Sequence, residues 1–168
     1  MKDSTVYVVM GVSGSGKTSV GRAVAQALGY GFIEGDSFHP PANIEKMSHG
    51  IPLEDADRFP WLDRIGEQIR QSPPGGLVVT CSSLKRIYRD RLRGFAEGRR
   101  LFFIFLHGSE ALLAERMARR KGHFMPASLL RSQLETLEDP TGEPDVVSVD
   151  IAGSTEDVVA RTLKAITA

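Results

Sequence analysis

The chain has 168 residues, 41% apolar and 25% charged, with Lys+Arg and Asp+Glu balanced at 21 each. That length supports one domain with a full core and leaves too little for two. Zero net charge excludes a global field for nucleic acid or an anionic membrane, so any anion binding must be built locally. Cys81 is the only cysteine, which excludes an internal disulfide framework and suits a reducing compartment.

The first apolar run, residues 6–10, is continuous and rich in valine. It is too short for a membrane span or a signal-peptide core and reads as a strand buried on both faces, in a protein expected to be soluble and cytoplasmic. Helical spacing follows over 17–28, with Val20, Ala23, Val24 and Ala27 on one stripe. A weaker strand is expected at 30–34. Residues 34–43 and 55–62 read as loop, the latter turning at Pro60, before a helix at 63–71. After Pro73-Pro74-Gly75-Gly76 come a strand at 77–81, a helix at 84–92 and a strand at 101–106. Helices at 109–120 and 127–137, a strand at 146–151 and a helix at 155–166 complete the chain, with Ser109 and Ser154 as N-caps. Strand alternating with helix implies an α/β fold with a mainly parallel sheet, as a single unit over residues 1–168.

The strongest local signal is Gly11-Val12-Ser13-Gly14-Ser15-Gly16-Lys17-Thr18, a complete G-x-x-x-x-G-K-[ST] pattern between the first strand and the first helix. The glycines let successive backbone N–H groups curl around phosphate oxygens, and the helix N-terminus adds partial positive charge. Gly11, Ser13, Gly14, Ser15, Gly16, Lys17, Thr18 and Ser19 are thus expected to bind ATP. Lys17 reaches the β- and γ-phosphates and the Thr18 hydroxyl ligates Mg²⁺.

A phosphate loop serves kinases, GTPase switches and mechanical ATPases alike. No lysine is followed two positions later by aspartate, so the guanine-specifying pattern is absent. Asp63-Arg64-Ile65-Gly66 fits a D-x-x-G pattern but falls in a helical segment, and the chain is short for a mechanical ATPase. A small-molecule kinase remains, and it needs a basic lid and an acceptor site. Arg116 and Arg120 share a helix face that Gly122 ends, and a lid around 116–127 would place these arginines over the phosphates and exclude water. Arg120 is therefore a candidate catalytic residue beside Lys17 and Asp36.

Asp36 follows the second strand, where parallel sheets place their ligand crevice. It can orient or deprotonate an attacking hydroxyl, or hold Mg²⁺ through water. His39, Arg58, Trp61, Lys85 and Arg86 are acceptor-side candidates. A guanidinium suits carboxylate recognition, and three cations in a neutral chain point to an anionic acceptor. The third strand ends Thr80-Cys81-Ser82-Ser83 rather than in an aspartate, so the metal must rely on Thr18, the phosphates and Asp36.

Together these residues resemble the gluconate kinases, small P-loop kinases related to shikimate and nucleoside monophosphate kinases. The resemblance runs through Gly11 to Thr18, Gly35-Asp36-x-x-His39-Pro40, Asn43 to Met47, Gly50 to Leu62 and Cys81 to Asp90. It continues through Arg119-x-Lys121-Gly122-His123-Phe124 and Ser132-Gln133 to Leu137-Glu138. It implies ATP-dependent phosphorylation of the terminal hydroxyl of D-gluconate, a nucleoside-monophosphate-kinase-like three-layer fold around a five-stranded parallel sheet, and a homodimer. It also implies that Asp36 acts at the acceptor hydroxyl, that Arg58, Lys85 and Arg86 hold the acid or its hydroxyls, and that His123 joins them. A shikimate kinase would carry a second carboxylate near Asp36 and a glycine triplet after the third strand; here Ser37-Phe38-His39 follows Asp36, and Gly75-Gly76 precede the third strand instead. A nucleotide-binding regulatory protein without transfer activity is the reading from a different class.

Overall fold

In the computed structural model, which describes residues 4–119 and 128–167, five strands form one sheet. They are β1 (Thr5–Met10), β2 (Gly31–Glu34), β3 (Leu77–Thr80), β4 (Arg100–His107) and β5 (Val146–Asp150), in spatial order β2-β3-β1-β4-β5. Every neighbouring pair is parallel, with Val8 opposite Val79 on one side and Phe103 on the other. Central β1 and β3 are almost wholly buried, as expected of strands covered on both faces.

The helices are α1 (Lys17–Leu28), α2 (Pro41–Ser48), α3 (Asp55–Arg70), α4 (Arg86–Arg93), α5 (Glu110–Arg119), α6 (Ser128–Thr136) and α7 (Thr155–Thr167), with a 3₁₀ turn at Gly35–Phe38. The crossover from β1 to β2 runs in one direction across the sheet, whereas those from β2 to β3, β3 to β4 and β4 to β5 run in the other. Right-handed connections therefore place α1 on one face and the later crossover helices on the opposite face. The contacts agree, since α1 packs on α7 and α3 on α4. Neighbouring β1 and β3 send their chains to opposite faces, which opens the ligand crevice between their C-terminal ends. The amide of Gly11 donates to Ser82 O at 3.2 Å across that crevice and ties the two loops together.

Two elements depart from the sequence reading. Residues 55–62 form the first two turns of α3 instead of a loop. Glu54 and Asp57 make a reciprocal capping box, with the Glu54 amide donating to Asp57 Oδ2 at 2.8 Å. Pro60 forfeits one intrahelical bond, but burial of Trp61, Leu62, Ile65 and Ile69 along the following turns outweighs that loss. Residues 41–48 are helical too, started by Pro41 in the first turn, where a missing N–H costs nothing. The expected serine caps are present: Ser109 Oγ accepts from Leu112 N and Ser154 Oγ from Asp157 N, both at 3.1 Å.

Gly35 fixes the turn that carries Asp36. Its N–H donates to Thr80 Oγ1 at 3.0 Å and its carbonyl accepts from the Trp61 indole at 2.9 Å. A Cβ here would lie 1.8 Å from Thr80 O, a main-chain atom that no rotamer change can move. Gly35→Ala is expected to cost about 3 kcal/mol or more, lowering Tm by roughly 10 °C. Gly94→Ala, in a right-handed helical conformation where a Cβ meets nothing closer than 3.4 Å, should change Tm little in the same calorimetric scan.

Candidate active site

Two cavities meet at the C-terminal edge of the sheet. The larger, about 550 Å³, is lined by Ser13 to Val20, by Glu34 and Asp36, by Arg116 and Arg119 of α5, and by Gly153 to Thr155 and Val158 at the start of α7. The narrower, about 40 Å³, is lined on the other side by His39, Arg58, Trp61 and Ser82, among others. Ser13, Lys17 and Asp36 line both. The seam between the cavities therefore holds one phosphate-loop amide, one ammonium and one carboxylate.

The phosphate loop takes its shape from glycines that L side chains cannot replace. Gly14 and Gly16 adopt φ of 86° and 91°, and a Cβ on Gly14 would lie 2.8 Å from Leu113 O of α5. Lys17 Nζ donates to Gly11 O at 3.0 Å and Val12 O at 3.2 Å, which holds the ammonium across the mouth of the loop. Gly11 itself lines neither cavity and serves as the joint to β3.

Thr18 Oγ1 donates to Glu34 Oε1 at 2.8 Å, and both residues line the larger cavity. These are hard oxygen donors at the phosphate end of the site, the chemistry Mg²⁺ prefers. No group of three or more His, Cys, Asp or Glu suited to a metal exists among the described residues, so a Mg²⁺ ion would depend on the nucleotide phosphates and water for most of its shell. Arg116 reaches across the far wall, donating to Ile151 O at 2.6 Å and Gly153 O at 2.8 Å. Arg120 and His123 lie outside the described residues.

On the acceptor side, His39 stacks on Trp61 with ring centroids 4.0 Å apart and planes 15° from parallel. Asn43 of α2 fixes which ring nitrogen carries the proton. Its Nδ2 donates to Asp57 O at 3.0 Å, and a carbonyl can only accept, so the amide orientation is set. The same nitrogen lies 3.1 Å from His39 Nδ1, which must then accept and leave the proton on Nε2. Nε2 faces Asp36 Oδ1 at 3.8 Å. Burial, reinforced by the nearby Arg58 charge and only partly opposed by Asp36, pushes the His39 pKa down to about 4. A buried histidine whose pKa falls below its unfolded value near 6.5 stabilises the fold fully above that value and loses the contribution as pH drops toward 4. Wild type should lose on the order of 3 kcal/mol through this window. His39→Gln should flatten the slope of denaturation midpoint against pH between 6.5 and 4.

Arg58 is buried despite its charge; it donates to Tyr88 Oη at 2.7 Å and lies over the Tyr88 ring. Tyr88 in turn donates to Asp55, which pairs with Lys85 at 3.2 Å. Arg58 thus faces the narrow cavity from a braced network, which Lys85 joins through Asp55 and Tyr88. Neither Lys85 nor Arg86 lines the cavity. The exposed Arg86 side chain leans toward Asp90 at 3.9 Å, and its amide donates to Glu138 Oε1 at 2.9 Å. Of the three cations grouped on the acceptor side in the sequence reading, Arg58 alone lines the cavity; Lys85 shares its Tyr88–Asp55 network and Arg86 is exposed.

Residue chemistry read along the chain assigns no role to Glu34, Asn43, Tyr88 or Gln133. Glu34 is the one that position could have revealed, since it ends β2 beside Asp36 and strand ends face the crevice. Cys81, just past β3, is fully buried and its thiol is pushed up to about 11, so it stays protonated and unreactive.

The AAA domain family matches residues 6–140 of the chain. A gluconokinase from Gluconobacter oxydans (strain 621H) is 53% identical over 146 residues, covering 84% of this chain and 80% of that protein. The chain belongs to the gluconokinase family. The thermosensitive gluconokinase of Escherichia coli (strain K12) is 45% identical over 166 residues, covering 96% of this chain and 87% of that protein. The crystal structure of a gluconokinase from Sinorhizobium meliloti 1021 matches with a TM-score of 0.89 at 57% identity, covering 99% of this chain and 94% of that one. A gluconokinase is a small-molecule kinase, and the paired cavities suit one: a phosphate-binding side and an acceptor side joined at a basic and an acidic group. Among the described residues no helix is long and apolar enough to cross a membrane.

Proposed function

We propose that the chain transfers the γ-phosphoryl group of Mg·ATP to the terminal hydroxyl of D-gluconate, giving 6-phospho-D-gluconate and ADP. The observation that carries this reading is the seam, where Ser13 and Lys17 meet Asp36 between a nucleotide-sized cavity and an acceptor cavity. The phosphate-loop amides and Lys17 hold the β- and γ-phosphates and stabilise the charge that spreads over the transferring group. Asp36 accepts the hydrogen bond of the attacking hydroxyl, aligns it with the phosphorus and takes its proton as the new O–P bond forms and the bond to ADP breaks. Mg²⁺, with Thr18 and Glu34 on its protein side, supplies neutralisation of the phosphate oxygens when bound.

On the acceptor side, Arg58 receives the carboxylate and the His39 Nε2–H donates to a hydroxyl. Trp61 gives the carbon chain a flat wall. Lys85 acts through Asp55 and Tyr88 on the set of Arg58. Arg116 and Arg120, on a lid over 116–127, cover the phosphates, and His123 joins the acceptor side; the family resemblance supports these roles, as it does the homodimer, and the single cysteine supports a cytoplasmic location.

The test is the phosphorus NMR spectrum of the product. A phosphate on the terminal CH₂ hydroxyl couples to two protons and gives a triplet. A doublet, from a secondary hydroxyl, would overturn the regiochemistry and with it the place given to Arg58.

A further inference from the structure

We infer that Gln133 is a positioning residue for the transfer step: its side-chain oxygen holds the Ser13 amide at the seam and yields that amide to the γ-phosphoryl group. The inference rests on the reading of the seam as the place of transfer.

The Ser13 N–H donates to Gln133 Oε1 at 2.7 Å, across 120 positions of sequence. Ser13 lines both cavities, whereas Gln133 lines only the acceptor side. Phosphate-loop amides are aimed at phosphate oxygens. The carboxamide oxygen is therefore an acceptor of the kind that the transferring group presents, at hydrogen-bond distance from a loop amide and on the side where the γ-phosphoryl must emerge. The exchange runs downhill, because hydrogen bonds to a charged phosphoryl oxygen are roughly twice as strong as those to a neutral amide.

The helix that carries Gln133 is anchored at both ends. Leu130 is buried, Arg131 pairs with Glu110 at 3.0 Å, and just past the helix the Glu138 amide donates to Leu84 O at 2.8 Å. The side chain, not α6, is what must turn. Gln133 lines the acceptor cavity. A carboxamide released from Ser13 turns within that cavity and meets the acceptor's hydroxyls. Arrival of a triphosphate thus prepares the acceptor side, whereas a diphosphate ends short of the seam and leaves Gln133 in place.

The test needs no acceptor. Dissociation constants for Mg·ADP and for a non-hydrolysable Mg·ATP analogue are measured by calorimetry on the wild type, Gln133→Leu and Gln133→Glu. Leucine cannot compete for the Ser13 amide, so the preference for triphosphate over diphosphate should rise about three- to tenfold. Glutamate is nearly isosteric but competes as a charged acceptor and repels the γ-phosphoryl, so the preference should fall about tenfold or more. ADP affinity should stay within about threefold in both. An unchanged preference, or equal weakening of both nucleotides, would overturn the inference and leave Gln133 as a structural brace. If the leucine variant does not fold, the fall or constancy of the preference in the glutamate variant decides between the same two outcomes. Failure of the kinase reading would look different: the wild type itself would show no turnover with any acceptor.

Discussion

Replacing Lys17 with alanine is expected to lower kcat by about a thousandfold or more while the protein stays folded. The expectation follows from position. Nζ spans the mouth of the phosphate loop, held by Gly11 O and Val12 O, and lines both cavities at once. The folded state gives up part-buried hydrogen bonds to a loop that its glycines already shape. The transition state loses the ammonium at the seam that can follow the charge from β- to γ-phosphate. Lys17→Arg should recover little, because a planar fork cannot occupy a site shaped for a compact ammonium. Single-turnover phosphoryl transfer with saturating Mg·ATP reads the effect directly. Turnover within about tenfold of wild type would remove Lys17 from the transfer step.

Asp36→Asn should produce a comparable fall, about a hundred- to ten-thousandfold in kcat, with a different signature. The carboxylate projects from the 3₁₀ turn, half-exposed at the seam, and the basic side chain it faces is His39, in its neutral form, at 3.8 Å. That contact is too long and too weakly charged to tie Asp36 to the fold, so the amide variant should keep its Tm. It should also keep its ATP affinity within about threefold, because phosphate binding rests on the loop amides and Lys17. A kcat loss without a KM change for ATP marks a group that acts at the acceptor hydroxyl. Equal loss in both parameters would place Asp36 on the metal and phosphates instead.

The parts of this molecule that a sequence displays are the parts built from local pattern. The inner strands β1, β3 and β4 stand within a residue of the continuous apolar runs, because burial on both faces writes itself into consecutive positions, while the partly exposed edge strands β2 and β5 carry the weaker signal. The phosphate loop is legible for the same reason: its glycine spacing, preceding strand and following helix are contiguous. Residues 55–62 are not, since Pro60 signals a turn locally while the capping box and the buried face of α3 decide otherwise. Arg86 shows the converse error. Adjacent in sequence to a cavity wall, it opens α4 with its side chain exposed, 3.9 Å from Asp90 one helical turn on, an i,i+4 pairing that the helical spacing over 84–92 already holds. Asn43 and Gln133 act only through contacts with His39, Asp57 and Ser13, and the Gln133 contact spans most of the chain. Such roles arise when the topology closes the crevice between β1 and β3, which happens in three dimensions and leaves no periodic trace.

The measurement that bears most directly on the central claim is coupled ADP release with Mg·ATP across an acceptor panel: gluconate, other hexonates, shikimate, glycerate, AMP and buffer alone. Strong turnover confined to gluconate is the predicted result. Turnover with shikimate or another acceptor in its place would contradict the substrate. ATP binding without acceptor-dependent ADP release would contradict the kinase itself and leave a nucleotide-binding regulatory protein.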